Sequence, residues 1–483
     1  MNFSTNANSE AIETDVVVIG GGGAGLSAAV AAAQRGVSVT VLERRRSLGG
    51  NSVKTLGIFA AESPVQRRMR IDTRRDVCFQ LAMDYSHNNI SPKIFRAFVN
   101  KSGDTVRWLE EQGLKFFDVP FFFPGQVVRT WHCSRGGGTA FINVLTKSCQ
   151  ALGVRMVTQV RAKKLLLDEK GNLTGILATR KSEKLQVKAR GVVIATGGYA
   201  GNKKLLGKYY PLSMENIFRI GLPHTGDGLQ MVTEIGADTE GLGTLQVVGP
   251  GLQDSLTLSY LAKEPNTIWI NKKGERFIDE RSGLRQFESV NALLRQPDRM
   301  SFTLFDSEIK QYLVENGLTS GHGQTYREQR VKPTAWLDDL QLETKNGRTK
   351  IAGSLDEMAK WMRVDAKVLK ATIDDYNEAC EHGYDPIYGK DRMFLKPLRT
   401  PPYYAIRCYP GLLTTIGGIK INERMEVVDK SDKPISGLYA AGNDTGGWVS
   451  GTYDINLAGV TFGFAINSGR IAGENAAKYA LGK

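Results

Sequence analysis

A glycine-rich turn between a short apolar strand and an alanine-rich helix limits most strongly how this chain can fold. Asp15 to Ile19 is a continuous β-branched run, which predicts a buried parallel strand. Gly20 to Gly25 carries the glycines of G-x-G-x-x-G, and Leu26 to Arg35 predicts a helix that ends at Gly36. A second buried run, Val37 to Leu42, completes a βαβ unit. The pattern predicts a Rossmann-type dinucleotide-binding fold.

Each glycine of the turn has a separate physical task. Gly20 permits the tight turn after the strand, Gly22 lets the backbone approach a pyrophosphate, and Gly25 lets the helix pack close to the strand. The helix N-terminus offers free N–H groups to the phosphates. Glu43, at the end of the second strand, is placed to accept the ribose hydroxyls. NAD and FAD share this fingerprint, so other residues must decide between them.

Further strand and glycine motifs follow along the chain, and together they resemble one family. In their order they resemble the fumarate reductase/succinate dehydrogenase flavoprotein superfamily, which also includes the 3-ketosteroid Δ1-dehydrogenases. The matching segments are 16–43, 49–52, 195–198, 225–228, 271–280, 415–418 and 437–447.

The resemblance implies an α/β fold with a Rossmann-type FAD-binding domain and an inserted α+β capping domain that closes over the flavin. We expect a disordered leader over 1–14, the FAD-binding domain over 15–243 and 403–483, and the capping domain over 244–402. Arg155 to Leu167 predicts one strand of a small sheet, and Leu457 to Tyr479 predicts a long helix.

The resemblance also implies which residues hold FAD. Relatives that bind FAD covalently use a histidine in the loop after Gly49, and the loop Ser52-Val-Lys-Thr has none, so we expect non-covalent FAD. Val160 is expected at the adenine, Asn443 or Asp444 at the ribityl chain, and the helix that begins near Leu457 at the flavin edge. The expected cofactor residues are Gly20, Gly22, Gly23, Ala24, Gly25, Glu43, Arg44, Gly49, Gly50, Asn51, Ser52, Gly57, Val160, Ala195, Thr196, Gly197, Gly198, Asp227, Gly442, Asn443, Asp444, Asn456, Leu457 and Ala458.

Family members move a hydride between the flavin and one carbon of an activated C–C bond, while a side chain handles the proton on the adjacent carbon. In fumarate reductases the proton donor is an arginine shortly after Gly-x-Arg-Phe-x-x-Glu. That spacing falls on Leu284 here, one residue before Arg285, with Arg281 as the other nearby arginine. Tyr453 is the third candidate donor, in the late stretch Ser450 to Gly459.

The dicarboxylate enzymes bind their substrate with a histidine and with an arginine near the C-terminal end of the sequence, and this chain has neither at the corresponding positions. The histidine position is Thr414, and Ser450 to Gly459 contains no arginine. The loss of a bidentate carboxylate clamp argues against fumarate, succinate and similar diacids. His224 either contacts substrate or caps the next helix, and an aromatic loop supplies apolar candidates. The expected substrate residues are Tyr453, Thr414, His224 and Phe123.

The leading hypothesis is an FAD-dependent oxidoreductase that reduces, or forms, a C=C bond conjugated to a carbonyl or carboxylate. Two alternatives stay open. One is a desaturase similar to the ketosteroid dehydrogenases, and the other is a flavin subunit that transfers electrons within a larger complex.

Composition limits the partners. The net charge of +13 comes without a basic block or a nucleic-acid-binding motif, so we expect no nucleic acid. Five cysteines without a Cys-x-x-Cys pair argue against disulfide, zinc and iron–sulfur sites, so we expect no metal and a separate electron donor. No export signal and no apolar stretch long enough to span a membrane are visible, which favours the cytoplasm.

Overall fold

The chain has a mixed α/β architecture, seen in a computed structural model that describes residues 11–181, 183–210, 213–319 and 334–483. The strands are β1 Ala11–Glu13, β2 Val16–Ile19, β3 Val39–Glu43, β4 Gly57–Phe59, β5 Phe116–Asp118, β6 Trp131–Ser134, β7 Arg155–Thr158, β8 Val160–Leu167, β9 Leu173–Arg180, β10 Glu183–Lys188, β11 Gly191–Ile194, β12 Phe218–Arg219, β13 Thr239–Glu240, β14 Leu245–Gly251, β15 Ile268–Ile270, β16 Ser301–Phe305, β17 Thr349–Ala352, β18 Tyr403–Thr415, β19 Gly418–Ile419, β20 Glu426–Val428 and β21 Pro434–Ala440. The helices of the described residues are α1 Gly23–Ala33, α2 Pro64–Arg68, α3 Arg75–Tyr85, α4 Pro92–Glu111, α5 Gly137–Ala151, α6 Lys203–Tyr209, α7 Asp227–Thr233, α8 Leu256–Leu261, α9 Gln286–Leu294, α10 Ser307–Asn316, α11 Trp336–Lys345, α12 Leu355–Met362, α13 Ala366–His382 and α14 Val460–Ala480.

A six-stranded sheet in the order β20-β21-β11-β2-β3-β7 forms the centre of the molecule. The pairs from β21 through β7 are parallel, and only β20 runs antiparallel to its neighbour. The side chains of β2, β3 and β11 are all buried, because helices cover a parallel sheet on both faces. The predicted βαβ unit is therefore confirmed.

The helices α1 and α14, which both lie beside this sheet, pack directly against each other. α1 consists mostly of alanine and glycine and is buried along ten of its eleven residues. Gly469 and Gly473 of α14 meet it without a side chain between them, since a Cβ at each would lie 2.2 Å from the Ala24 carbonyl oxygen and 2.1 Å from the Ala28 carbonyl oxygen. The two backbones therefore approach as closely as glycine allows.

A four-stranded sheet, β1-β10-β9-β8, lies beside the central sheet and corrects two predictions. β1 pairs with β10, so residues 11–14 are not part of a disordered leader; residues 1–10 lie outside the described residues. The single strand predicted over 155–167 is two strands, because Gln159 adopts a left-handed φ of 60° between them. β7 joins the central sheet and β8 joins the small one.

A third sheet contains the strands β14, β15, β16 and β17 of the predicted capping segment. Its order is β12-β18-β16-β15, and β14 and β17 also pair with β18. A second hydrophobic core, formed by residues between Leu252 and Cys408, packs on this sheet. The domain division stays a prediction, but the expected boundary at residue 402 precedes β18, the strand with which β14, β16 and β17 pair. None of the described helices combines the length and the apolar character that crossing a bilayer requires.

Candidate functional site

The turn between β2 and α1 forms a phosphate cradle of the predicted kind. Gly20 has a left-handed φ of 110°, and a Cβ there would lie 2.2 Å from the Ala195 carbonyl oxygen. A Cβ at Gly25 would lie 1.8 Å from the Gly20 carbonyl oxygen. At Gly22 the nearest atom would be 3.8 Å away, so this face of the turn is open. Gly22, the N-cap of α1, forms no side-chain cap hydrogen bond. The Gly23 N–H donates to Ser52 Oγ at 3.0 Å, so the N–H groups that follow it in the first turn are the ones offered to an anion.

The cradle opens into a cleft that the predicted cofactor residues line together. Of the predicted set, the cleft is lined by Gly20, Gly22, Gly23, Ala24, Glu43, Arg44, Gly50, Asn51, Ser52, Val160, Ala195, Thr196, Gly197, Asp227, Gly442 and Asn443. Sequence reasoning missed other lining residues, among them Arg45, Arg161 and Thr225, which neighbour predicted ones along the chain or across the cleft. The predicted residues outside the lining are Gly25, Gly49, Gly57, Gly198, Asp444, Asn456, Leu457 and Ala458.

Charged residues line the end of the cleft that lies beyond β3. The buried Glu43 carboxylate accepts hydrogen bonds from the backbone N–H groups of Gly21 and Arg45, both at 2.8 Å, which fixes its orientation. Arg44 Nη1 donates to Thr225 Oγ1 at 2.7 Å. Arg161 donates to both carboxylate oxygens of Asp227, at 2.9 and 2.7 Å. These contacts tie the loop after β3 and the start of β8 to the segment that leads into α7.

The Asp227 carboxylate is ionised in this network. Burial pushes its pKa up, but hydrogen bonds from Arg161 and Thr225 outweigh burial and hold the pKa below the ordinary value. Asp227 therefore anchors two arginines at the cleft, with Arg44 Nη1 3.9 Å from its carboxylate.

His224 lies in this cleft, apart from the other predicted substrate residues, none of which line it. Its ring packs on Gly197, where a Cβ would lie 2.9 Å from His224 Nε2, and its Nδ1 is buried without a hydrogen-bond partner. Burial, together with Arg44 and Arg45, lowers its pKa to about 4, so the ring is neutral. The alternative interpretation as a helix cap is wrong, because Gly226 is the N-cap of α7 and the Gly228 N–H in its first turn donates to Thr196 Oγ1 at 3.2 Å.

Asn443 and Asp444 have different positions, although the sequence left them equivalent. Asp444 is buried and accepts hydrogen bonds from the backbone N–H groups of Thr196, Gly197 and Gly198. Its carboxylate thus holds the turn after β11 and does not line the cleft. Asn443 lines the cleft, and its Oδ1 is buried without a partner, which fits an atom that accepts a hydrogen bond from a cofactor hydroxyl.

Three hydrogen bonds hold the carbonyl groups of the loop before α14. The carbonyl oxygens of Asn456, Ala458 and Gly459 accept hydrogen bonds from Gln126 Nε2 at 2.7 Å, Thr130 Oγ1 at 3.0 Å and the Phe59 N–H at 2.9 Å. A peptide N–H points opposite to the carbonyl of the same peptide plane, so the N–H groups that follow face away from these partners. The Asn456 N–H and Nδ2 both donate to Asp454 Oδ1 at 2.8 Å. The predicted contacts of Asn456, Leu457 and Ala458 with a flavin edge remain a prediction.

Two of the other predicted residues serve packing. A Cβ at Gly57 would lie 2.3 Å from the His132 carbonyl oxygen, because β4 and β6 run closely paired there. Phe123 is buried, and its carbonyl oxygen accepts a hydrogen bond from the Gln126 N–H at 3.3 Å. His132 is buried as well and bonds to Ser63 Oγ and the Thr130 carbonyl; burial lowers its pKa to about 4.

Tyr453 lies in the loop before α14. Its hydroxyl oxygen accepts a hydrogen bond from the Thr461 N–H at 3.4 Å, and its ring packs on Phe287 with centroids 4.6 Å apart. The side chain is buried, which raises the pKa of the hydroxyl to about 12 and keeps its proton in place at neutral pH.

A chain of neutral polar groups runs from Tyr453 to the cleft. Thr461 Oγ1 donates to Gln246 Oε1 at 3.2 Å, and Gln246 stands opposite Thr414 in the pairing of β14 with β18. Asn443 Nδ2 donates to Thr414 Oγ1 at 3.2 Å. Gln246 and Thr461 were missed by sequence reasoning, since neither belongs to a motif and only the fold brings them together.

The two arginine candidates differ in position. Arg285 is half-exposed, lies next to Phe287 on α9, and places Nη1 3.1 Å from Glu288 Oε2. Arg281 is exposed and pairs with Asp279 at 3.3 Å and with Asp391 at 3.9 Å, so the structure does not bring it together with Tyr453. Leu284, at the spacing of the dicarboxylate enzymes, is buried.

The motif Gly274 to Glu280 builds a buried ion network behind these residues. Glu280 accepts hydrogen bonds from Arg276 Nε and Nη2 at 2.9 and 2.8 Å, and Lys390 Nζ lies 3.2 Å away. Arg276 Nη2 also donates to Asp385 Oδ2 at 3.0 Å. Burial alone would raise the pKa of Glu280, but Lys390 and Arg276 hold it below the ordinary value. The network fixes the short 3₁₀ helix, 280–285, that ends at Arg285.

Comparisons with known proteins agree with this geometry. Residues 15–460 match the family model described as FAD binding domain. The chain is 32% identical to the vinyl phenol reductase of Lactiplantibacillus plantarum over 96% of both chains. It is 28% identical to the urocanate reductase of Eggerthella lenta, over 97% of this chain and 75% of that protein. It is also 28% identical to the NADH:fumarate oxidoreductase of Klebsiella pneumoniae, of which it spans 48%.

Solved structures share the fold. The open conformation of a flavocytochrome c3 fumarate reductase superposes with a TM-score of 0.77 at 27% identity, over 97% of this chain and 79% of that one. A 3-ketosteroid-Δ4-(5α)-dehydrogenase from Rhodococcus jostii RHA1 superposes with the same TM-score at 24% identity, over 98% and 99% of the two chains. The predicted α/β flavoprotein fold is thus confirmed.

Proposed function

Because this chain belongs to the FAD binding domain family, whose cofactor is FAD, we propose that it is an oxidoreductase that reduces, or forms, a C=C bond conjugated to a carbonyl or carboxylate, on a substrate other than a C4-dicarboxylate. The relatives named for vinyl phenol and urocanate reduction support this reaction class. A relative named for NADH:acrylate oxidation–reduction, from Vibrio harveyi, supports it as well.

FAD fits the residues of the cleft. The open face of Gly22 and the N–H groups in the first turn of α1 would hold the pyrophosphate, and Glu43 would hold the ribose. The orphaned Asn443 Oδ1 would accept a hydrogen bond from the ribityl chain. We propose non-covalent attachment, since the segment that follows Gly49 contains no histidine up to residue 86.

The proposed choice of substrate depends on one observation above all. The polar side chains that run from Tyr453 to Thr414 carry no charge. The resemblance places a histidine and an arginine in these two regions of the dicarboxylate enzymes, whereas this chain offers hydroxyls and amides. The nearest cation on the α9 side, Arg285, is already paired with Glu288. A second carboxylate on the substrate would find no free positive partner in these groups, which disfavours its burial.

The reaction divides between cofactor and protein. FAD, when bound, supplies the electron pair and one hydrogen to one carbon of the double bond. Tyr453 gives the proton to the adjacent carbon, because its hydroxyl is buried, keeps its proton at neutral pH and receives a backbone hydrogen bond that stabilises the phenolate. Thr414 and Gln246 orient the electron-withdrawing group of the substrate, and Arg285 is the alternative donor.

The proposal includes a separate electron donor and a cytoplasmic location. The chain spans about half of the relatives named for NADH, so their use of NADH is not carried over to it. No disulfide joins cysteines within the described residues, as is usual in a reducing compartment.

An anaerobic titration tests the proposed reaction. Enzyme reduced with dithionite is mixed with a vinyl phenol, urocanate, acrylate or fumarate, and the return of the oxidised flavin spectrum is followed. We expect reoxidation by at least one of the first three and little by fumarate. Failure of every olefin would overturn the proposed function.

Two substitutions then identify the proton donor. Tyr453→Phe should slow reoxidation about 100-fold or more, the usual contribution of a general acid, while Arg285→Ala should have a small effect. The opposite ranking would assign the role to Arg285, and two small effects would refute both assignments.

A further inference from the structure

Thr414 makes a contact with the wall of the cofactor cleft that the proposed reaction does not use. Asn443 Nδ2 donates a hydrogen bond to Thr414 Oγ1 at 3.2 Å. Thr414 lies on β18, is buried and does not line the cleft, whereas Asn443 follows β21 and does line it. The hydrogen bond therefore joins a buried strand residue to a residue that faces the cofactor site.

The hydroxyl of Thr414 can serve Asn443 only as an acceptor. A threonine hydroxyl has one hydrogen and two lone pairs, and here the hydrogen is donated to the Thr415 carbonyl oxygen at 3.2 Å. If that hydrogen turns to an acceptor on the substrate, as the proposed function requires, it still points away from Asn443. In both arrangements a lone pair of Thr414 Oγ1 is left for the Asn443 amide.

This acceptor decides which way the Asn443 amide is turned. The donor nitrogen and the acceptor oxygen of an amide lie on opposite sides of one carbon, so Nδ2 on Thr414 directs Oδ1 to the other side. Asn443 Oδ1 is buried and has no hydrogen-bond partner in the protein. The reversed amide would set its oxygen against the acceptor lone pair of Thr414 and would leave Nδ2 as the unpartnered atom.

The backbone around Asn443 is held independently of this contact. The Gly442 N–H donates to Ser468 Oγ at 2.9 Å, and the Asp444 carboxylate accepts a hydrogen bond from the Gly198 N–H at 2.8 Å. The last torsion of an asparagine side chain has no sharp preference of its own. The orientation of the amide is therefore set by the hydrogen bond to β18.

We propose that Thr414 is a positioning residue for FAD, which holds the Asn443 amide with Oδ1 directed at a hydroxyl of the ribityl chain. The inference rests on the FAD contact of Asn443 in the proposed function, and it does not depend on the substrate. The resemblance places a substrate histidine at this position in the dicarboxylate enzymes. In this chain the threonine acts on the cofactor, through Asn443.

FAD titration of the apoproteins, followed by quenching of flavin fluorescence, tests this role. Thr414→Val keeps the shape of the side chain but removes the acceptor, and it should weaken FAD binding about three- to tenfold, the value of one neutral hydrogen bond. Thr414→Ser keeps the hydroxyl and should bind FAD within about twofold of the wild type. Thr303→Val is the matched control with unchanged FAD affinity, because Thr303 is also buried but donates to the Ala262 carbonyl oxygen at 3.0 Å in the second core.

A double-mutant cycle separates positioning from a general structural role. Asn443→Ala should weaken FAD binding at least as much as Thr414→Val, and the double variant should bind FAD within about twofold of Asn443→Ala, because Thr414 acts through Asn443. Losses that multiply in the double variant would overturn the proposal, and so would wild-type FAD affinity in Thr414→Val.

If Thr414→Val does not fold, Thr414→Ala removes the same acceptor with a smaller side chain, and its FAD affinity should fall by a similar factor. Wild-type affinity in that variant would equally overturn the proposal. A wild type that binds FAD but that no olefin reoxidises would overturn the proposed reaction, while the loss in Thr414→Val and its absence in Thr414→Ser would still support the positioning role.

Discussion

Gly22 and Gly25 belong to one turn but should respond to alanine in opposite ways. Gly22 has φ −84° and ψ −172°, a conformation that alanine adopts freely, and its added methyl would meet nothing within 3.8 Å. The apoprotein of Gly22→Ala should therefore be as stable as the wild type. The methyl would occupy the space through which a pyrophosphate reaches the N–H groups of α1. The loss of one hydrogen bond to a charged group costs about 1.5–3 kcal/mol, which weakens FAD binding about 10- to 150-fold.

Gly25→Ala should fail earlier, at folding, because its methyl would lie 1.8 Å from the Gly20 carbonyl oxygen. Thermal unfolding of the apoproteins by circular dichroism, and FAD titration by quenching of flavin fluorescence, separate the two effects. Gly207→Ala is the control, since Gly207 is exposed on α6 with open space around it, and its apoprotein should gain up to about 1 kcal/mol with unchanged FAD affinity. Wild-type FAD affinity in Gly22→Ala would refute the assignment of this face to the pyrophosphate.

Two further predictions concern buried charges. Glu280→Gln leaves Arg276 and Lys390 without their shared carboxylate and should lower the free energy of unfolding by about 3–5 kcal/mol in urea titrations. The control Glu381→Gln breaks an exposed pair with Arg399 and should change the free energy of unfolding by less than about 1 kcal/mol. Equal losses in the two variants would contradict the buried network. The folded state raises the pKa of Asp454 from 3.8 to about 6, so the contribution of Asp454 to stability is complete below pH 4 and is lost as pH rises through 6. Relative to Asp454→Asn, the wild type should therefore lose up to about 3 kcal/mol of unfolding free energy between pH 4 and 7. Parallel curves of stability against pH for the two proteins would refute the raised pKa.

Local patterns in the sequence predicted the cofactor half of the molecule well. The buried run before Gly20 and the acidic end of β3 each follow from a few adjacent residues, and the structure places them around one cleft. The segment 155–167 contains no glycine or proline and was predicted as one strand. The left-handed turn at Gln159, which sends its halves into two sheets, leaves no mark in that pattern.

The substrate half depends on contacts between distant residues, and these could not be predicted. Asp444 binds the turn at Thr196, 248 positions away, and only this contact separates its role from that of Asn443. Gln246 and Thr461 meet across 215 positions. The absence of a carboxylate clamp was visible in the sequence, but the neutral hydroxyls and amides that replace it were not.

The close packing of α1 on α14 has a consequence for the order in which the protein becomes functional. α1 carries the phosphate cradle, yet its outer face is covered by a helix that is synthesised more than 400 residues later. β21, which extends the central sheet, is also made late. A nascent chain therefore holds its nucleotide-binding turn on an uncovered helix for most of its synthesis. We therefore expect FAD to bind in the final stage of folding, when residues 460–480 pack on α1.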